Sequence, residues 1–381
     1  MRWIGICAIA LGLACNGDES EDSASAPSSR PQTGTDTNTE GGDSAESPGD
    51  SGDSGDSGTP TSDPEAEAAE AITDAAQAFL SSLSKEAQTS MHFSMDDPAR
   101  KTWSNLPISM YEREGILTGD LDATQLELAY SMLEASLSSQ GYIQALNIIA
   151  VDQWHRDNGD EMMGDQLYSI SIFGEPSTTE AWSWQLDGHH LCYTFTINVD
   201  QVSMSPALWG VNPLTIPDGD LEGLRAMGDE VDAGFMLLDS FNEAQKAIAV
   251  LHPTMSPGIL GGPGGDDFEI LDTELGLSAA DMSPEQQALL LELAQTFILD
   301  MEDTHAALRL AEVEAGVDDL YFAWMGPTDF GSEIYYRIYG PTVLIELDHV
   351  NGNDHIHSVY RNPGNDYGEN ILAAHYARYP H

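Results

Sequence analysis

Two stretches of the chain combine a clear helix start with apolar residues at helical spacing. Asp63-Pro64 places a favourable N-cap residue before a proline at the first helical position, and an apolar stripe follows from Ile72 to Leu83. Ser283-Pro284-Glu285-Gln286 combines the same proline position with a capping box, ahead of a stripe that runs from Leu290 to Met301. We therefore predict one helix at the start of the folded part and another in its last third.

Two further helices are predicted between these. The first begins at Asp122, with Gln125 three residues on as in a capping box, and we expect Gly141 to end it. The second runs from about Leu221 to Leu251, with Gly234 as its weak point. Both show the apolar spacing of a helix that packs on one face.

Alternation of apolar and polar residues predicts strands between and after these helices. The predicted strands are Tyr168–Phe173, Ala181–Asp187, His190–Val202, Leu320–Met325, Glu333–Tyr339, Thr342–His349 and His355–Tyr360. Short connections between consecutive strands favour antiparallel pairing. We predict an α+β fold in which helices pack against one large antiparallel sheet. A division into two domains at the Gly/Pro-rich stretch 258–267 is the lesser alternative.

The first 63 residues differ in character from the rest. Residues 1–15 have a basic residue, a short apolar run and then Cys15, which indicates a lipoprotein-type signal peptide; an ordinary secretory signal is the alternative. Residues 16–63 are rich in Ser, Gly and Asp, with tandem Gly-Asp-Ser repeats, and are predicted to form a disordered tether. Residues 64–381 are then a single domain. We expect an exported protein, held by its lipid at the membrane of a bacterial cell envelope, or else secreted.

The charge of the chain excludes some partners. Its 381 residues include 64 Asp and Glu against 13 Lys and Arg, a formal net charge of −51. A field of that sign repels nucleic acid and anionic membrane surfaces, so we expect membrane attachment through the lipid anchor only. Adaptation to salty surroundings, where ions screen the repulsion, also accounts for such a composition.

Candidate chemistry concentrates in the last fifty residues. On the predicted strand His355–Tyr360, the period of two places His355, His357 and Arg361 on one face. Two imidazoles at positions i and i+2 of a strand can bind one metal ion. Histidines hydrogen-bonded within a sheet are the alternative.

A complete ligand set needs further residues, and Glu346 with one of His189 or His190 could supply them. In a regular strand His189 and His190 face opposite sides, so only one enters the site unless Gly188 marks a bulge. Histidine with carboxylate suits one divalent zinc, iron, manganese or copper ion.

Arg361, Arg337 and Asp366 are the candidate catalytic residues. In an acidic chain, arginines beside histidines form a local positive site that would favour a small anionic substrate. Asp366 would orient a histidine or act as a base. The alternatives are that the arginines only pair with Asp348, Asp366 or Glu346, and that Asp366 caps the last helix.

Several motifs together resemble the uncharacterised family catalogued as domain of unknown function 3500. They are Trp103-Ser-Asn-Leu-Pro107, Arg113-Glu-Gly115, Tyr168 to Pro176, Trp182-Ser-Trp184, Gly188-His-His-Leu191, Pro206, Trp209-Gly-Val-Asn-Pro213, Phe322-Ala-Trp324, Tyr335 to Pro341, Glu346, Asp348, His355-Ile-His357, Arg361, Asn365 to Gly368 and His375. The resemblance covers most of the chain after the tether and implies one extended domain, but it implies no reaction. From the residues themselves we expect a metal-dependent hydrolase or oxidoreductase; a non-catalytic ligand-binding lipoprotein with structural histidines is the alternative.

Overall fold

The computed structural model describes residues 63–255, 258–264, 274–350 and 354–378. These residues belong to one compact unit, which spans Thr59–His381. The predicted signal peptide and all of the predicted tether except Asp63 lie outside the described residues. No helix in the described ranges has both the length and the apolar character needed to cross a membrane.

Nine α-helices and twelve strands form within the described ranges. The helices are α1 Pro64–Ser82, α2 Lys85–Met91, α3 Ala123–Ser136, α4 Ser139–Asp157, α5 Gly228–Ser240, α6 Glu243–Ala249, α7 Pro284–Ile298, α8 Asp303–Ala315 and α9 Glu369–Arg378. The strands are β1 His92–Phe93, β2 Ile116–Leu117, β3 Ser169–Phe173, β4 Trp182–Asp187, β5 Leu191–Asn198, β6 Gln201–Val211, β7 Val250–His252, β8 Leu277–Ser278, β9 Tyr321–Met325, β10 Tyr335–Tyr339, β11 Leu344–Val350 and β12 His355–Arg361.

All twelve strands join one sheet, which confirms the predicted α+β fold. Ten of them follow the order β1-β3-β4-β5-β6-β12-β11-β10-β9-β7, while β2 pairs with β3 and β8 with β9. The long strands from β3 to β9 pair antiparallel, whereas the short pairs β1/β3 and β7/β9 are parallel. Strand β6 joins the two halves of the sheet, because it pairs with β5 on one side and β12 on the other.

The two faces of the sheet differ in chemistry. One face carries the main apolar core, with Phe195, Trp209, Ile356 and Trp324 among its fully buried side chains, and helices α1, α4 and α8 contact it at β6. The opposite face carries Asp187, Glu346, Asp348, the histidines of β12 and Arg361, with a small apolar cluster of Trp103, Cys192, Leu208, Val359 and Tyr367. The candidate site lies on this polar face.

The helix starts predicted from capping residues are confirmed. Asp63 caps α1, Asp122 and Gln125 form the capping box of α3, and Ser283 and Gln286 form that of α7. Each of these starts depends on a side chain bonding the free backbone N–H groups of its own first turn, which is a local interaction.

Two helix ends were predicted wrongly. Gly141 does not end α3, which stops at Ser136; it lies in the first turn of the unpredicted helix α4, where a Cβ would come within 2.2 Å of the Asp300 carbonyl oxygen. The helix predicted from about Leu221 to Leu251 is not continuous either: it begins at Gly228 and stays helical through its predicted weak point, Gly234. The break falls at Phe241, because Asn242 forms a capping box that starts α6.

The central strand β6 was not predicted as a separate strand. The predicted strand His190–Val202 turns back at Val199 and Asp200 and continues as β6. Pro206 lies within β6, although proline cannot donate a hydrogen bond to a sheet. The pairing of β5 with β6 shifts register between Tyr193 and Phe195, and this bulge accommodates the proline.

Candidate metal centre

The turn from β4 to β5 brings the rings of two adjacent histidines together. Gly188 follows β4 directly and packs against the ring of Tyr168, where a Cβ would meet ring carbon Cδ1 at 2.2 Å. His190 adopts the left-handed conformation, with φ of 62°. The rings of His189 and His190 therefore stack, with centroids 3.7 Å apart, instead of facing opposite sides as in a regular strand.

Three imidazoles converge at this position. The Nε2 atoms of His190 and His355 lie 2.8 Å apart, and the ring centroids of His190 and His357 are 5.3 Å apart. One ligand atom from each of His190, His355 and His357 fits within 4.8 Å of the other two. The site thus combines the turn before β5 with the first half of β12, which are 165 positions apart in the sequence.

The ring orientations favour this trio as metal ligands. Its three ring planes make angles of 66°, 64° and 51° with one another, so the nitrogen lone pairs, which lie in the ring planes, can meet at one point. Tetrahedral coordination at zinc–nitrogen distances of 2.0–2.1 Å separates two nitrogens by about 3.3 Å. The His190 and His355 rings would need to part by about half an ångström to admit such an ion.

Burial keeps two of these imidazoles neutral. Removal from water, and then the neighbouring histidines, hold the pKa of His190 well below its usual value. Burial, followed by the nearby His357, lowers the pKa of His355 to about 4. Because a metal ion binds only the unprotonated imidazole, these two residues are in the ligating form at neutral pH.

Asp348 orients the third imidazole. Its Oδ1 atom lies 3.1 Å from Nδ1 of His357 and accepts a hydrogen bond from the His357 backbone N–H at 3.2 Å. The two residues are direct partners across the antiparallel pair β11/β12. A carboxylate at Nδ1 fixes the ring and leaves Nε2 for a ligand, as is common for metal-binding histidines.

Asp152 and His189 offer a second metal-binding group with His190, but the ring geometry argues against it. Each of the three provides a ligand atom within 4.8 Å of the others. However, His189 and His190 are tilted by only 30° in a stack, so their in-plane lone pairs run nearly side by side. Instead, His189 Nδ1 bonds Asp152 Oδ1 at 2.8 Å, and Tyr168 donates to the other oxygen of Asp152 at 2.8 Å. His189, held by Asp152, therefore packs against the His190 ring and fixes its position.

Glu346 lies outside the histidine group and anchors a loop. Its carboxylate, fully buried, accepts hydrogen bonds from the backbone N–H groups of Leu260 and Gly261 and from the Tyr335 hydroxyl. Both oxygens are therefore used, and the ligand role expected for Glu346 finds no support in the geometry. The loop that it holds forms one wall of a cavity that His357 also lines.

The candidate catalytic residues lie elsewhere on the polar face. Arg361 is fully buried, its guanidinium bonds Asp366 at 3.2 Å, and it lies 5.9 Å from the Trp103 ring. Asp366 also accepts a 2.6 Å hydrogen bond from the Ser205 hydroxyl. Asp366 does not cap the last helix, because Asn365 accepts the bonds from the first N–H groups of α9.

Arg337, the third candidate catalytic residue, is also buried. It is the cross-strand partner of Glu346 and lies 5.7 Å from the Tyr339 ring. Neither Arg337, Arg361 nor Asp366 is among the residues that line the cavity next to the histidines. The structure thus brings the predicted histidines together but not the predicted arginines with them.

A cavity with a volume of about 640 Å³ lies next to the histidine group. His357 and Asp348 line it on the sheet side, and Ile259 and Leu260 line it on the loop side. Asn105, also in the lining, accepts a hydrogen bond from the backbone of His190 through its carbonyl oxygen. A small molecule in this cavity would therefore contact His357 directly.

Sequence reasoning missed three residues that build the site. Asp348 was named only as a pairing partner for arginine, although the antiparallel pairing of β11 with β12 places it opposite His357. Asp152 lies on the unpredicted helix α4, and no local signal pointed to it. Gly210 lies on the unpredicted strand β6, directly opposite His357.

Comparison with known proteins identifies a family but no relative of known function. Residues 65–369 match the family described as protein of unknown function DUF3500. No curated protein and no solved structure matches the chain. The match spans most of the chain and confirms the resemblance seen in the sequence motifs, and the protein therefore belongs to the DUF3500 family.

Proposed function

We propose that the protein is a metal-dependent hydrolase in which His190, His355 and His357 bind one divalent transition-metal ion. The observation that carries this proposal is the convergence of three non-parallel imidazole rings, two of them held neutral by burial. Three histidine ligands with one open position characterise catalytic zinc sites. Zinc is the metal we favour, because imidazole suits it well and the set contains no thiolate.

The residues around the ion have distinct roles in this proposal. Asp348 fixes His357 through Nδ1, while His189, bonded to Asp152, stacks on His190 and keeps it from solvent. A bound ion would lower the pKa of a coordinated water, so that this water attacks a substrate carbonyl at neutral pH. The cavity beside His357 would hold the substrate for that attack. With iron or copper the same open position would serve an oxidoreductase.

The alternative is a non-catalytic binding protein with structural histidines. One observation favours it: the 2.8 Å contact between the Nε2 atoms of His190 and His355 is a good hydrogen bond between two neutral rings without any ion. In that case one imidazole donates a hydrogen bond to the other, and the role of the two histidines is to stabilise the sheet.

Metal binding at defined stoichiometry distinguishes the two functions. The purified protein is stripped with a chelator and titrated with buffered Zn²⁺ in moderate salt, which weakens binding to the many surface carboxylates. We expect one tight site, lost in the His355→Ala/His357→Ala variant and retained in His252→Ala, which changes an exposed histidine outside the group. Only weak binding at many sites, unchanged in the double variant, would favour the structural role.

For the cellular location we propose an exported lipoprotein whose folded part is carried on the tether. Support comes from the sequence alone, from the apolar run that ends at Cys15 and the low-complexity segment after it. Metabolic labelling of the expressed protein with a radioactive fatty acid tests this proposal. Label on the wild type but not on a Cys15→Ser variant supports it, and unlabelled wild-type protein contradicts it.

A further inference from the structure

Asn105 lies beside the candidate metal centre and keeps its side-chain amide available. Its backbone carbonyl oxygen accepts a 3.5 Å hydrogen bond from the N–H of His190, one of the three proposed ligands. The residue is half-buried and lines the same cavity as His357 and Asp348. Among the described residues, none forms a hydrogen bond with the side-chain amide of Asn105. A molecule in the cavity can therefore bond this amide.

A buried ion pair fixes the segment that carries Asn105. Arg113 donates hydrogen bonds to the backbone carbonyl oxygens of Ser104 and Leu106, the two neighbours of this asparagine. The Nε atom of Arg113 lies 3.1 Å from Oδ1 of Asp187, and the same oxygen accepts a 3.2 Å hydrogen bond from the Ser104 N–H. Asp187 is the last residue of β4, directly before the turn to β5. The segment is thus attached to the strand end that leads to the proposed ligands.

This attachment holds the amide in place before any substrate binds. The Arg113 side chain is fully buried, and its planar guanidinium offers several donors in a fixed geometry. Because both neighbours of Asn105 are bonded to this one group, the backbone at Asn105 has little freedom to move. A donor held in this way needs no rearrangement during a reaction.

The proposed reaction develops a negative charge that such a donor would stabilise. When water attacks the carbonyl carbon of a substrate, the carbonyl electron pair moves onto the oxygen, which becomes an oxyanion. The attacking water releases one proton to solvent, and the leaving group takes up one proton when the intermediate collapses. Asparagine side chains are among the donors that stabilise oxyanions of this kind.

We propose that Asn105 is a catalytic residue, whose side-chain amide donates a hydrogen bond to the substrate carbonyl oxygen and to the oxyanion formed from it. The substrate is then an ester or an amide that binds in the cavity next to His357. This inference rests on the proposed function, since the metal centre supplies the attacking water.

Methylphosphonate tests this role, because its tetrahedral group of anionic oxygens resembles the intermediate. The full chain is loaded with Co²⁺, and the visible absorption of the ion reports ligand binding. N-Methylimidazole is the reference ligand, since it binds the ion through a nitrogen atom and has no oxygen to accept a hydrogen bond. We expect Asn105→Ala to bind methylphosphonate about tenfold more weakly than wild type, with an unchanged affinity for N-methylimidazole. Asn105→Asp should bind methylphosphonate more weakly still, because a carboxylate repels the anion.

Two controls separate this role from a structural one. Asn370→Ala changes an exposed asparagine on α9, outside the residues that line the cavity, and should keep the affinity of wild type for methylphosphonate. The urea midpoint of Asn105→Ala should equal that of wild type, because the amide bonds no other part of the described fold.

The result with methylphosphonate decides the inference. Equal affinities in wild type and Asn105→Ala, or equal losses for both ligands in that variant, would overturn it while leaving the metal centre intact. A Co²⁺ protein that responds to N-methylimidazole but not to methylphosphonate would also overturn it. Failure of the wild type to bind Co²⁺ would overturn the proposed function and this inference together.

Discussion

The ring of His190 occupies the space that a side chain on residue 210 would fill, and residue 210 is a glycine. A Cβ built on Gly210 would lie 3.0 Å from the Cδ2 atom of His190. The backbone N–H of Gly210 also donates a 2.7 Å hydrogen bond to the carbonyl oxygen of His190. Because Gly210 is the cross-strand partner of His357, the absent side chain lets His190 cross β6 and reach the histidines of β12.

A Gly210→Ala substitution should therefore weaken metal binding. The added methyl group would push the His190 ring away, and we expect a loss in zinc affinity of about tenfold or more, as for residues that orient ligands. The variant should also lose about 1–3 kcal/mol of stability through overpacking, since the Cβ would come within 2.8 Å of the Ile356 carbonyl oxygen. Calorimetric titration with chelator-buffered zinc measures the affinity.

Gly234→Ala is the matched control for overpacking. Its Cβ would lie 2.7 Å from the ring of Tyr336, which belongs to the apolar core on the face of the sheet opposite the histidines of β12. We expect a similar loss of stability in urea unfolding but an unchanged zinc affinity. Equal affinities in Gly210→Ala and wild type would contradict the positioning role of Gly210.

Asp348 and Glu346 are both carboxylates on β11, but we expect substitution of Asp348 to lower zinc affinity and substitution of Glu346 to lower stability. An Asp348→Asn change removes the negative charge that holds His357, so zinc affinity should fall about tenfold to hundredfold. A Glu346→Gln change instead replaces one of the two acceptor oxygens by an NH₂ group, which cannot accept the hydrogen bonds that Leu260 and Gly261 donate to the carboxylate. We expect it to cost about 1–3 kcal/mol of stability with little change in zinc affinity.

Titration of both variants with zinc and with urea checks this separation. The distinction between the two carboxylates would be wrong if Glu346→Gln lost zinc affinity as strongly as Asp348→Asn. Such a result would return Glu346 to the ligand role that the sequence suggested.

The lowered histidine pKa values predict how the metal-free protein responds to acid. The unfolded chain takes up a proton on His355 near the ordinary pKa of about 6.5, whereas the folded protein does so only near pH 4. The contribution to stability is therefore complete above pH 6.5 and is lost as the pH falls from about 6.5 to 4. A His355→Gln variant should lack this part of the pH dependence.

Urea denaturation between pH 7 and pH 4 measures the free energy of unfolding of wild type and His355→Gln. The difference between the two proteins isolates the contribution of His355. Other groups that titrate nearby, such as Glu230, are present in both proteins and cancel. A difference that does not change between pH 7 and pH 4 would refute the assignment of a lowered pKa to His355.

Glu230, on the helix side of the sheet, should give the opposite dependence of stability on pH. Burial raises its pKa to about 7 from 4.5, so folding favours the protonated form and its contribution falls as the pH rises through 7. A Glu230→Gln variant can still accept the hydrogen bond from Gln144 without a charge. Because the pKa of Glu230 is about 7 instead of 4.5, the variant should gain up to about 3 kcal/mol over wild type at pH 8.5. At pH 5.5 the gain should be about 1.4 kcal/mol, under half of the gain at pH 8.5, and equal gains at both pH values would contradict the raised pKa.

Much of the fold could be predicted because its signals are local. Capping residues act within one turn, and alternation along a strand reports the two faces of the sheet, so the three capped helix starts at Asp63, Asp122 and Ser283 and seven strand segments were recognised. Strand β6 was missed because its bulge at Pro206 can be understood only from the pairing with β5. The helix α4 was missed because Gly141 is explained by its close approach to Asp300, which is distant in sequence.

The candidate site could be predicted only in part for the same reason. His355 and His357 share a face through the simple period of a strand. The approach of His190 depends on the left-handed backbone at that residue and on Gly210 in a strand that was not foreseen. Arg361 was a catalytic candidate in the sequence, but its burial beside Trp103 and Asp366 depends on contacts with distant parts of the chain.

The most direct test of the metal centre is anomalous X-ray diffraction from crystals of the protein soaked in zinc, recorded on both sides of the zinc absorption edge. The account predicts a strong anomalous peak about 2.0–2.1 Å from nitrogen atoms of His190, His355 and His357. Anomalous peaks only at surface carboxylates, with His190 and His355 still in contact through their Nε2 atoms, would contradict it.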